Sequence, residues 1–197
     1  MDKVLVLKAT ENGTVGVEMP FDKEAGLDFY YQNLDCDTID DIYVETVWNC
    51  ASSKVCSSVY LLDRAIGCCG MITTFTFGKE DGNQAEMLRT ATLAALNRTL
   101  SESVESGSKV SLYINCGYVR NVLIQKRYQQ WQNNGWETEQ GRPVAEADLW
   151  KKLLALLGVM DVQPIQKSVW EQDYEIAKKL LRVAEFNASS PEEKDLA

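Results

Sequence analysis

The order of its periodicities limits most strongly what this chain can fold into. Three runs with strand character follow one another with no helix between them: Ile42–Trp48, Ser53–Leu62 and Gly70–Phe77. Each is rich in β-branched and aromatic residues, and the first alternates cleanly. Helical spacing then sets in at Asn83–Leu100, with Leu88, Ala91 and Ala95 on one face. Asn83 is a good N-cap and Glu86 stands at the third position of a capping box. Lys109–Ile114 reads as a strand, Tyr118–Gln132 as a helix ended near Gly135, and Pro143–Leu157 as a helix stopped by Gly158. Val159–Val169 is a short strand region that Pro164 marks as an edge. Trp170–Phe186 is a last helix, with Trp170, Tyr174, Ala177 and Leu181 on one stripe. Three successive strands followed by alternation predict an α/β domain with a mixed five-stranded sheet flanked by helices.

The first forty residues stand outside that order. Val4–Lys8 and Thr14–Met19 flank Asn12-Gly13, a pair suited to a tight hairpin turn, and a helical stretch opening at Asp22 carries Ala25, Leu27, Phe29, Tyr30 and Leu34. Residues 1–40 are read as a hairpin-plus-helix appendage, too small to be stable alone. Residues 41–187 form the main domain, and residues 188–197 a flexible acidic tail. A length of 197 residues fits one domain with such an appendage.

Charge and side-chain chemistry narrow the functions. The chain carries 20 basic and 29 acidic residues, a net charge of −9, which argues against a broad basic face for phosphate backbones. Residues 1–41 concentrate ten acids against three lysines, whereas residues 120–152 hold six basic against four acidic residues. The acidic run Asp35–Asp41 is either a solvated linker or a contact for a protein partner. The six cysteines form no C-x-x-C pair, and Cys68 and Cys69 are adjacent, so reduced thiols in a cytoplasmic protein are expected. No run is long enough for a transmembrane helix, and the amino terminus has no secretory pattern. The absence of histidine removes every imidazole-based nucleophile, ligand or proton shuttle.

One segment carries a longer signature. Trp131-x-x-x-Gly135-Trp136-x-Thr138 leads to Pro143-Val144 and then Asp148-Leu149-Trp150. This stretch resembles the bacterial ribonuclease H motif W-x-x-x-G-W-x-[TN]-x-x-x-x-P-V-x-N-x-[DE]-L-W. Asn115-Cys116-Gly117-Tyr118-Val119 resembles the family's D-S-x-Y-V, which follows a threonine at the end of a strand. Asn83-x-x-Glu86-Met87 resembles its N-x-x-E-[LM]. The resemblance covers about residues 41–186 and implies the ribonuclease H-like fold.

It also implies a chemistry. The family cuts the RNA strand of RNA–DNA hybrids with two divalent ions held by four acids. Two ions about 4 Å apart stabilise both the attacking and leaving oxygens, and Mg²⁺ takes oxygen ligands. Carried over, the first acid falls at Glu45, the second at Glu86, and the third at Asn115. The register of the fourth places Tyr174 there, with Asp173 one residue away. The resemblance thus implies Glu45, Glu86, Asn115 and Asp173 as the catalytic set, with Glu45, Glu86 and Asp173 as ligands for Mg²⁺ or Mn²⁺. Glu86 serves equally as a helix-capping carboxylate. Asn115 carries no charge: a unit charge about 4 Å from a divalent ion at an effective dielectric of about 20 is worth roughly 8 kcal/mol, gross. The handle that contacts substrate in the family corresponds to Lys126, Trp131, Trp136 and Arg142, and the tryptophans also suit core packing. Glu137, Glu139 and Glu146 make this handle less basic. Two functions follow. One is a binding module for an RNA–DNA hybrid, other nucleic acid or a protein, with an impaired metal site and little nuclease activity. The other is an active divalent-metal ribonuclease H.

Overall fold

A computed structural model describes residues 3–10, 13–20, 29–32, 38–51, 54–65, 70–77, 83–104, 107, 109–163 and 167–189. In chain order the elements are β1 (Lys3–Thr10), β2 (Gly13–Pro20), β3 (Phe29–Gln32), β4 (Asp41–Asn49), β5 (Lys54–Leu62), β6 (Gly70–Phe77), α1 (Gln84–Ser103) and β7 (Lys109–Ile114). There follow α2 (Gly117–Ile124), α3 (Arg127–Asn133), α4 (Ala147–Gly158), β8 (Asp161–Gln163), α5 (Val169–Gln172) and α6 (Tyr174–Ser189).

The main sheet has six strands in the order β3-β6-β5-β4-β7-β8. β4, β5, β6 and β3 pair antiparallel, while β7 and β8 add parallel strands on the other side of β4. The sixth strand corrects the expected five. Phe29–Gln32 lies in the stretch read as helical, yet its Phe-Tyr-Tyr run is a better strand former and pairs along the outer edge of β6. The rest of that stretch, residues 22–28, 33 and 34, lies outside the described residues.

β1 and β2 form the expected hairpin as a separate two-stranded sheet. Its ladder runs on to the pair Thr10–Gly13, so Gly13 belongs to β2. Asn12 itself lies outside the described residues. β1 packs against α6 and β6. At the end of the acidic run, the Arg64 backbone N–H donates to Asp40, and the Arg64 guanidinium grips the buried Asp41 carboxylate at 2.6 and 2.8 Å. Those two acids are engaged within the fold.

The alternation of β4 sends its side chains to two cores. Ile42 and Val44 join Leu96, Leu112, Trp150 and Leu153 beneath α1 and α4. Tyr43 joins Tyr60, Ala177 and Leu180 beneath α6. Three expected helices differ in extent. The one read at Tyr118–Gln132 breaks into α2 and α3 at Lys126, which takes a left-handed φ of 53°. The one read from Pro143 starts only at Ala147, after Glu146 at φ 55°. The last one breaks at Asp173, which is extended at φ −146°. That break shifts the buried stripe of α6 to Ala177, Leu180, Val183 and Ala184, and leaves Tyr174 exposed. α6 runs through the buried Ala188 to Ser189, and residues 190–197 lie outside the described residues. The strand expected near Pro164 is β8, on the sheet edge beside β7. Pro164 itself is outside the described residues. Among the described residues no helix is long and apolar enough to cross a membrane.

Candidate active site

The centre of the sheet brings two of the expected site residues together. β4 and β7 run parallel with Val44 opposite Ile114, so the next residues, Glu45 and Asn115, meet side by side. The Asn115 backbone N–H donates to the Val44 carbonyl at 3.1 Å. Its side-chain Nδ2 donates to Glu45 Oε1 at 2.6 Å. The second oxygen, Oε2, accepts from the indole Nε1 of Trp170 at 3.1 Å. Glu45 is only 2% exposed. Burial pushes its carboxyl up to about 7, although the bonds from Asn115 and Trp170 pull the other way and Glu185 adds to the rise. Trp170 was not among the expected site residues. It lies 125 residues from Glu45 in the chain, and no local pattern in the sequence joins the two.

The other acids have different employment. Asn83 caps α1 by accepting from the Glu86 backbone N–H at 2.9 Å, as the capping pattern implied. Glu86 is half-buried in the first turn, and its charge is one of those that hold the Arg89 guanidinium protonated. Asp173 caps α6, its Oδ1 accepting from the Ile176 backbone N–H at 3.0 Å. Among the described residues no three acidic, histidine or cysteine side chains are grouped so as to hold a metal ion.

The handle divides between core and surface. Trp131 is 9% exposed and packs edge-on against the fully buried Trp150, with ring centroids 5.7 Å apart. Trp136 is half-buried at φ 67°, and Lys151 Nζ lies 5.3 Å from its ring centre. Lys126 and Arg142 are exposed.

Glu146 holds this region to α1. It stands where the family motif has asparagine, and it meets the Arg89 guanidinium through two charge-assisted hydrogen bonds, one of 2.5 Å and one of 2.9 Å. Thr90 reaches the same carboxylate at 3.3 Å, and Tyr118 lies 5.0 Å from the guanidinium. The substitution at position 146 was visible in the sequence, but its partner was not. Both charges are largely hidden, so removing one strands the other. Arg89→Ala is expected to cost about 2 kcal/mol of stability, and the double variant Arg89→Ala/Glu146→Ala less than that. Urea unfolding of the three proteins checks this.

Comparison with known proteins follows the same outline. The RNase H family model matches residues 61–166. The ribonuclease H of Nitratidesulfovibrio vulgaris is 38% identical over 81 residues, which cover 41% of this chain and 47% of the relative. That of Oleidesulfovibrio alaskensis is 43% identical over 56 residues, covering 28% and 36%. The chain thus spans about half, or less, of the length of these relatives. Among solved structures, the foamy viral protease–reverse transcriptase in complex with dsDNA superposes with a TM-score of 0.55 at 13% identity, covering 75% of this chain and 95% of that one. The same viral protein in complex with RNA/DNA hybrid gives a TM-score of 0.51 at 15% identity, covering 73% and 19%. At such identities the structural likeness speaks for the fold alone. The family match covers more than half of the chain and includes the strand end at Asn115 and the Trp131–Trp150 stretch, so the chain belongs to the ribonuclease H family.

Proposed function

We propose that this ribonuclease H domain, carried by residues 41–187, binds an RNA–DNA hybrid or a similar nucleic acid and cuts it little or not at all. The observation that carries this reading is the 2.6 Å hydrogen bond from Asn115 to Glu45. A divalent ion needs acceptors pointing at it, and here an N–H points at the buried carboxyl of Glu45. Trp170 occupies the other oxygen with a second neutral donor. Asp173 is turned to its helix cap, and Tyr174 offers no carboxylate. As arranged, these residues do not fit the ion pair that family members use to activate water and stabilise the leaving oxygen. Binding of nucleic acid is supported by the solved complexes of similar fold and by the exposed Lys126, Arg127 and Arg142.

The test is cleavage of an end-labelled RNA–DNA hybrid in Mg²⁺ and in Mn²⁺, beside direct binding of the same hybrid. The expected result is binding without cleavage. Cleavage that disappears in Glu86→Gln would instead establish an active metal-dependent nuclease. A companion variant, Asn115→Asp, replaces the donor with a second carboxylate against Glu45. It is expected to lose about 2 kcal/mol of stability in EDTA, because two carboxyls in contact, one of them buried, cannot both ionise without strong repulsion. Millimolar Mg²⁺ or Mn²⁺ is expected to return part of that loss. The unaltered chain should show no such dependence in a thermal melt.

A further inference from the structure

Where the family resemblance places a fourth acid, this chain presents an aromatic ring. Tyr174 opens α6 and is 58% exposed. The ring is nevertheless held in place. It packs edge-on against Trp170, with centroids 5.5 Å apart and planes at 64°, while Asp173 fixes the backbone beneath it as the helix cap. Lys178, one turn further on, sets its Nζ 4.8 Å from the ring centre. Trp170 is in turn bonded to Glu45. An oriented, exposed ring with a cation over it therefore stands one indole away from the Glu45–Asn115 pair. Asn115 is part-exposed, and beyond its bond to Glu45 its carbonyl oxygen meets no partner among the described residues.

A side chain this exposed adds little to folding, whereas an aromatic face with a nearby cation suits a nucleobase. The neighbouring carboxylates do not make the place a phosphate funnel. Glu171 is tied to Ser168, Asp173 to its cap and Glu175 to Lys178. Stacking, and not net charge, would carry the interaction. A base paired inside a duplex has both faces covered by its neighbours, so the base that stacks here is an unpaired one. We propose that Tyr174, backed by Trp170 and flanked by Lys178, is a stacking surface for an unpaired nucleobase. The inference rests on the nucleic-acid-binding reading above and narrows its ligand to a hybrid with a single-stranded portion.

The test uses the full chain and three fluorescently labelled RNA–DNA hybrids in an anisotropy titration: blunt, with a short RNA overhang, and with the same overhang lacking its bases. The overhang is expected to tighten binding about tenfold over the blunt hybrid. The abasic overhang should lose that gain, and the gain should change little with salt. Tyr174→Ala should abolish the difference between overhang and blunt, and Tyr174→Phe should keep it. Equal binding of blunt and overhanging hybrids, or an undiminished preference in Tyr174→Ala, would overturn the inference and leave hybrid binding standing. Failure of all three probes to bind would overturn both.

Discussion

Trp150→Ala is expected to cost about 3–5 kcal/mol, a large share of the about 5–15 kcal/mol that holds a domain folded. Trp150 is fully buried on α4, edge-on to Trp131, at the point where α4 meets the sheet through α1 and the handle. Deleting the ring removes its transfer energy and leaves a large void, because Trp131 and Leu153 are fixed by their own helices. The indole N–H is the revealing detail, since Trp150 Nε1 is buried with no hydrogen-bond partner among the described residues. The ring is thus kept for its shape, at the cost of an unpaired donor. Trp150→Phe drops that donor and retains most of the packing, so it is expected to stay within about 1 kcal/mol of the original. Urea unfolding of both variants decides the matter. A large loss in Trp150→Phe would mean that the N–H matters, and a small loss in Trp150→Ala would mean that the site collapses freely.

That pair of predictions also shows what the sequence can and cannot display. The tryptophan motif announced the family, and burial of Trp131 and Trp150 was open to a reader who weighs an indole as core material. The strands β4 to β7 were legible because alternation and β-branched composition act locally. The start of α1 was legible because Asn83 caps it with its own side chain. The helix breaks were not. Lys126 and Glu146 adopt left-handed φ values that nothing in their side chains requests, whereas a glycine there would have flagged the turn. Tertiary packing sets them: the turn at Lys126 frees α3 to swing Trp131 inward, and the turn at Glu146 presents its carboxylate to Arg89. The break at Asp173 is half legible, since an aspartate is a good cap, but an unbroken helical pattern hid it. Its consequence is the one-residue slip of the buried stripe from Leu181 to Leu180. In the site, the Glu45–Asn115 pairing could be inferred from neighbouring parallel strands. The Trp170 bond to Glu45 could not, because it joins residues 125 positions apart through a helix only four residues long.

The second large effect is a stability that falls as pH rises through the weakly acidic range. Glu45 titrates near 7 in the folded chain, against an ordinary value of 4.5. Between those two values the folded chain holds a proton that the unfolded chain has released. The unfolded state then binds fewer protons, so the unfolding free energy declines with increasing pH. The decline begins near the lower value and is complete above the upper one, where it amounts to about 3 kcal/mol. Most carboxylates act in the opposite sense, gaining stability as they ionise beside a partner. The reversed slope is therefore a specific mark of this buried acid. Glu45→Gln should remove the slope whatever it does to the absolute stability, since one amide proton will face an N–H donor. Urea midpoints measured from about pH 4.5 to 8 for both proteins provide the check. Repeating the series in millimolar Mg²⁺ connects the slope to function. An ion bound at Glu45 would favour its charged form and flatten the decline. If binding without metal is the right reading of this site, the slope persists unchanged. Flattening by Mg²⁺ would return Glu45 to the role its family position implies, and the donors from Asn115 and Trp170 would then have to turn away as the ion enters.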